Sequence, residues 1–263
     1  MISGIPWVRV GLMALAALFC TQDSKATDLI SPGNLQVFSQ VVDGDIWHWK
    51  TTITLLNLGT SPANFTLYFY GDDGLPLALS TNLGQASIFT GTLPPGGSMV
   101  IETPGTAPTL VQGWGLLRPD AGAVISGSAV FRERVADLPD LEASVPGDGG
   151  STHRAAFPFD HIAAASGIAL VNPGSFSTIT VSIVFRDESG TQFFQDSFQM
   201  LPLTHQAITM TQKYPQTIGH RGTMEISTTG FFPINVLGLR FVPDPRFIAL
   251  SFTSITPVAS SSW

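Results

Sequence analysis

An alternation of period two, met twice along the chain, limits what this sequence can fold into. From Thr51 the order runs Thr-Thr-Ile-Thr-Leu-Leu-Asn-Leu-Gly, then a break to Ala63, then Asn-Phe-Thr-Leu-Tyr-Phe-Tyr-Gly-Asp-Asp-Gly. Ile53 and Leu55 alternate with Thr52, Thr54 and Leu56, and Phe65, Leu67 and Phe69 alternate with Thr66, Tyr68 and Tyr70. In extended backbone, successive side chains point to opposite faces; a helix would need a repeat near 3.6. The stretch therefore predicts strand, turn, strand, with Asp72-Asp73-Gly74 as a hairpin turn.

The same order returns from Ser166 to Gly190 as Gly-Ile-Ala-Leu-Val-Asn-Pro-Gly and then Val-Ser-Ile-Val-Phe-Arg-Asp-Glu-Ser-Gly. Asn57 matches Asn172, Gly59 matches Gly174, and Gly74 matches Gly190. Leu93-Pro94 matches Leu201-Pro202, and Val130-Phe131 matches Arg240-Phe241. Val181, Ile183 and Phe185 keep the phase of Phe65, Leu67 and Phe69. Several anchors in one order predict an internal duplication: two units of roughly 100 residues, each with about seven short strands, as in a β-sandwich. The expected division is 27–135 for the first unit, 136–153 for a linker rich in Asp, Glu, Pro and Gly, and 154–263 for the second. A short edge strand is expected at Glu142 to Val145, and residues 252–263 form a frayed or edge-pairing tail.

Composition agrees with an all-β chain. Only 12% of residues are charged, and 26 Gly with 19 Pro suit many turns. A hydrophobic content of 44% supports a core and argues against disorder. With a net charge of −7 and 12 scattered Lys and Arg, no basic face for nucleic acid is expected. Residues 1–26 read as a signal peptide: Arg9, an apolar run from Val10 to Cys20, and a cleavage site at Ser24-Lys25-Ala26. The one cysteine, Cys20, falls inside it, so the mature chain is expected to have no disulfide and, after cleavage, no transmembrane segment.

Candidate chemistry is sparse. Asp72, Asp73, Asp187 and Glu188 are carboxylates that calcium could use, but each sits in an expected turn, where Asp bonds nearby backbone N–H groups. His48, His153, His161, His205 and His220 show no metal-ligand spacing and read as isolated surface or cap histidines. Neither a nucleophile elbow nor a phosphate loop is present, so no catalytic residue and no cofactor are expected. Aromatics are the remaining route to binding. Trp47 and Trp49 fall in phase with Ile53 and Leu55 on a strand expected from Ile46, as core residues or as a sugar-stacking platform. Trp114 lies between Gly113 and Gly115, which let a ligand or another backbone approach. In Phe231-Phe232-Pro233, one ring of the pair points outward if the backbone is extended.

The pattern Trp49-Lys50-Thr51-Thr52-Ile53, Asn57, Asp73-Gly74, Pro94-Pro95-Gly96-Gly97-Ser98, Ala129-Val130-Phe131-Arg132 and Gly238-Leu239-Arg240-Phe241 resembles a group of secreted bacterial proteins with duplicated immunoglobulin-like sandwiches. The resemblance covers nearly the whole mature chain. Its motifs are turns and core positions, so it implies fold and export and carries over no catalytic residue. The expectation is two tandem immunoglobulin-like β-sandwiches after a signal peptide, secreted, periplasmic or at the cell surface. The expected function is a non-enzymatic structural or adhesion-type module making protein contacts, self-association included. The alternatives are a carbohydrate-binding protein using Trp47, Trp49, Trp114 or Phe232, and a hydrolase whose site is not visible as a motif.

Overall fold

The computed structural model describes residues 35–134, 140–147, 152–229, 233–243, 249–255 and 258–259. The expected leader, 1–26, and Phe232 lie outside the described residues. The chain is all-β, and its described residues form antiparallel sheets, one four-residue α-helix and a short 3-10 helix at Pro215–Thr217.

The first half contributes β1 (Gln36–Asp43), β2 (Lys50–Asn57), β3 (Ala63–Gly71), β4 (Leu79–Thr81), β5 (Gly84–Ala86), β6 (Ile88–Leu93), β7 (Ser98–Glu102), β8 (Val111–Pro119), β9 (Ile125–Glu133) and β10 (Leu141–Pro146). They form sheets in the orders β1-β8-β3-β6 and β10-β9-β2-β7, with β4 and β5 as a separate hairpin. The alternation sets which faces meet. Phe38, Phe65, Leu67, Phe69 and Leu117 from one sheet pack against Ile53, Leu55, Ile101, Ala129 and Phe131 from the other.

The second half contributes β11 (Arg154–Asp160), β12 (Ala165–Val171), β13 (Ile179–Asp187), β14 (Gln192–Met200), β15 (His205–Thr209), α1 (Met210–Lys213), β16 (Arg221–Thr229), β17 (Asn235–Pro243), β18 (Ala249–Ile255) and β19 (Val258–Ala259). The sheet orders are β14-β13-β16-β11-β19 and β15-β12-β17-β18. Reading β11, β12, β13, β14, β15, β16, β17 and β18 for β1, β2, β3, β6, β7, β8, β9 and β10 reproduces both sheets of the first half, with β19 added. In one sheet β1 lies beside β8 and β8 beside β3; in the other β2 lies between β9 and β7.

Asn57 and Asn172, both fully buried, brace the two sandwiches in the same way. Asn57 Nδ2 donates to the carbonyls of Ser61, Leu93 and Pro94, and its Oδ1 accepts from Gly59 N. Asn172 Nδ2 donates to those of Ser177, Met200 and Leu201, and its Oδ1 accepts from Gly174 N. The hairpins after β3 and β13 also agree: Gly74 N donates to Gly71 O and Gly190 N to Asp187 O, with φ of 79° and 83°.

Two sequence matches shift by one residue. The carbonyls bound by the asparagines align Leu93-Pro94 with Met200-Leu201, so the counterpart of Pro94-Pro95 is Leu201-Pro202. Thr51, six residues before Asn57, pairs with Phe131; Ser166, six before Asn172, pairs with Arg240. Phe131 therefore aligns with Arg240, and Phe241 points to the opposite face of its strand. Phe131 fills its own core, whereas Phe241 packs against the core of the other sandwich.

Three other expectations change. The strand expected from Ile46 starts at Lys50, because Asp45 to His48 form a turn, with Asp45 and His48 at φ of 69° and 46°. Gly44 and Trp49 close this turn by exchanging two backbone bonds of 2.8 Å, so Trp47 lies off the strand while Trp49 keeps its phase. The strand expected within the linker is β10, and it belongs to the first sandwich: it pairs with β9 and buries Ala143 and Val145. The described residues of the expected tail pair at sheet edges, with β18 on β17 and β19 on β11.

Candidate functional site

The most constrained region outside the two cores is the junction between the sandwiches, which belong to one compact body, Ser31–Trp263. Gly167-Ile168-Ala169-Leu170-Val171 is an unbroken run of apolar residues and glycine, as expected of a strand covered on both faces. Ile168 and Leu170 enter the second core, Ala169 joins the first, and Val171 packs with Val37 and Trp114. Strand β1 is buried on both faces too. It lies against β12 and β17, and β10 runs beside β18. The second sandwich thus covers two outer strands of the first, removing edges that would otherwise be open to pairing.

Trp114 is fully buried at this junction. Its ring stacks on Tyr70 at 4.9 Å, and its Nε1–H donates to Leu203 O at 2.8 Å, a residue of the second sandwich. Gly113 makes room, since a Cβ there would stand 2.0 Å from Tyr70 O. The close approach at Gly113 is that of a neighbouring backbone, and at Gly115 that of the Phe69 and Phe38 rings. Burial, and to a lesser degree Tyr68, push the Tyr70 hydroxyl above its ordinary pKa.

Leu203 carries unusual backbone, with φ of 60°. It is the third residue of a turn closed by Thr204 N to Leu201 O at 3.3 Å, with Pro202 second. The equivalent turn, Pro94-Pro95-Gly96-Gly97, is closed by Gly97 N to Pro94 O at 2.8 Å, with Gly96 at φ of 67°. Glycine takes this conformation freely, whereas leucine is held there at a cost of about 1–2 kcal/mol. Its contacts with Trp114, Val37 and Val171 offset that cost.

Beside it, His205 Nδ1 is 2.7 Å from Asp72 Oδ1, and His205 N donates to Asp72 O at 3.2 Å. Asp72 Oδ2 accepts from Gln112 Nε2 at 2.6 Å. A carboxylate orienting an imidazole supplies two of the three members of a catalytic triad. Here the remaining nitrogen, Nε2, is buried with no partner among the described residues, and the His205 side chain has no exposed surface. It is sealed from any external substrate, so the pair serves as a clamp. His161 is likewise buried, with Nδ1 2.8 Å from Thr217 Oγ1, and burial lowers its pKa. Both residues correct the expectation of surface histidines.

A cavity of about 210 Å³ lies in the junction, walled by Gln40, Trp49, Phe131, Ala169, Leu239 and Phe241 among others. Exposed Leu110 and Ala207 stand at its rim. Gln40 is 8% exposed, and its Oε1 has no partner among the described residues.

The residues singled out in the sequence do not assemble into one site. Trp47 is half-buried in the β1–β2 turn, Trp49 is half-buried against the first core and the cavity, and Trp114 has no open ring face. Asp73 accepts from Leu75 N, and Asp187 from Ser189 N and Thr191 N, which are turn-forming bonds. Glu188 pairs with Arg221 at 3.8 Å. Among the described residues no three of His, Cys, Asp and Glu come together as metal ligands. The residues that sequence reasoning missed are Gln40, Leu203 and His205. Leu203 stands opposite Gly96 only once the one-residue shift is applied, so the sequence match did not single it out. No family model matches the chain, and no curated protein is similar to it.

Proposed function

We propose that the protein is an exported, non-enzymatic structural or adhesion-type module, built from two immunoglobulin-like sandwiches that arose by duplication. The repeated strand order and the repeated asparagine brace support the duplication, and the resemblance to secreted bacterial sandwich proteins supports export. The observation that carries the functional reading is the use of edges. The junction covers β1 and β10, while β6 and β14, equivalent strands at the ends of their sheets, pair on one side only among the described residues. Neither contains Lys, Arg or Pro, the usual guards of an edge, and the one charge, Asp196 of β14, accepts from the Tyr214 hydroxyl. Their backbone groups are suited to adding a strand from another protein, a second copy of this chain included.

Sedimentation over a wide concentration range tests this, using the wild type and a Thr90→Lys/Ser197→Lys variant with charge on both edges. Self-association that the variant loses is expected. A wild type that stays monomeric, with catalytic turnover of an ester or glycoside, would replace the reading with an enzymatic one. Retention of the full-length protein in the cytoplasm of the producing cell would remove the export component.

A further inference from the structure

We propose that the cavity between the sandwiches is a binding site for a small, neutral ring compound that carries one hydrogen-bond donor. Size comes first. A dry apolar cavity of about 150 Å³ takes up benzene, and this one, at about 210 Å³, has room for a ring with a short substituent. The walls fix the class of occupant. Trp49, Phe131, Leu239 and Phe241 offer ring and aliphatic surface, Gln112 and Thr209 add neutral polar groups, and no lining residue is ionisable, so a charged ligand would lose hydration without a charged partner.

The donor requirement comes from Gln40. Its side chain is more than nine-tenths buried and lines the cavity, and its Oε1 is unpartnered among the described residues. A buried acceptor left in that state carries the full loss of its hydration. Gln40 also sits where the β1–β8 register shifts, between Phe38 and Val41. A bulge of this kind re-aims a side chain and is over-represented beside functional sites. Small residues keep the space open: Ala169 on the wall and Ala207 at the rim, and Gly167, where a Cβ would meet the Phe241 ring at 2.8 Å. Entry is available past exposed Leu110 and Ala207.

Isothermal titration calorimetry with phenol and toluene tests the assignment, because the two differ by a single donor. Both are expected to bind saturably with one site, phenol on the order of tenfold tighter, the worth of one hydrogen bond to an otherwise unpaired group. Gln40→Leu is expected to keep toluene binding and abolish the preference for phenol. Ala207→Trp, placed at an exposed position so that folding is preserved, is expected to weaken both by tenfold or more. Absence of saturable binding by either probe overturns the site, as does binding that Ala207→Trp leaves unchanged. Equal affinity for phenol and toluene in the wild type overturns the role of Gln40. If Gln40→Leu fails to fold, the wild-type preference and the Ala207→Trp result decide the matter.

Discussion

The turns after β6 and β14 close the same corner of the two sandwiches with different chemistry. In the first, Gly96 supplies the left-handed conformation, and a Cβ there would meet nothing within 4 Å. In the second, Leu203 holds the same conformation, its carbonyl accepts from Trp114, and its side chain packs in the junction. One copy of the turn is a connection; the other is part of the interface that makes one body of two sandwiches. The outer strands differ in the same sense. The edge of β11 is closed by the chain's own β19, whereas β1 is covered by β12 and β17 of the neighbour. Two sandwiches of the same strand order thus present unequal faces where they meet, while their internal braces are alike.

The strongest test of that asymmetry is Trp114→Ala. It removes a fully buried ring and the bond to Leu203, and a cost of about 3–5 kcal/mol is expected. Calorimetry should show one unfolding transition for the wild type and two for the variant, as the sandwiches uncouple. One transition at an unchanged temperature would mean that the junction does not couple them.

The pH response should separate the halves next. In the first sandwich, burial raises the Glu133 pKa from 4.5 to about 7. Its folded pKa exceeds the unfolded one, so the stability it contributes is complete below about pH 4.5 and is lost as pH rises to about 7. The change is roughly 3 kcal/mol by linkage. In the second sandwich, burial is the largest influence on His161 and lowers its pKa below 6.5. Protonation on acidification is therefore resisted in the folded state, and His161 loses stability as pH falls through 6.5. Denaturant melts of Glu133→Gln should lack the loss between pH 4.5 and 7, and those of His161→Gln should lack the opposing loss on the acid side. Parallel pH profiles for the two variants would contradict these assignments.

The braces should behave alike. Asn57→Ala and Asn172→Ala each leave three carbonyls and one N–H without their partner, and each should cost about 2–4 kcal/mol by urea unfolding. A large difference between them would show that the shared geometry hides different energetics. The smallest expected effect lies in the hairpin glycines. At Gly190, with φ of 83° and open space around it, alanine should cost about 1 kcal/mol. At Gly74 a Cβ would stand 2.8 Å from Pro202 O, a backbone atom of the second sandwich, so alanine should cost about 1 kcal/mol more. Equal losses would argue against the packing of this hairpin on its neighbour.

Short-range patterns were enough for the all-β class, the phase of β3 and β13, and the paired turns at Asn57-to-Gly59, Asn172-to-Gly174, Gly74 and Gly190. These follow from rules that act over a few residues: side chains alternate along a strand, asparagine bonds the backbone two residues on, and glycine tolerates positive φ. Tertiary structure decided the rest. A shift of one residue, hidden by the matching phenylalanines of Val130-Phe131 and Arg240-Phe241, sent Phe131 into a core and Phe241 across the junction, because register exchanges the faces of a strand. Trp114 and His205 gained their roles from partners 89 and 133 residues away. The cavity at Gln40 exists only where two sandwiches meet, and no local pattern along either one encodes the shape of the space between them.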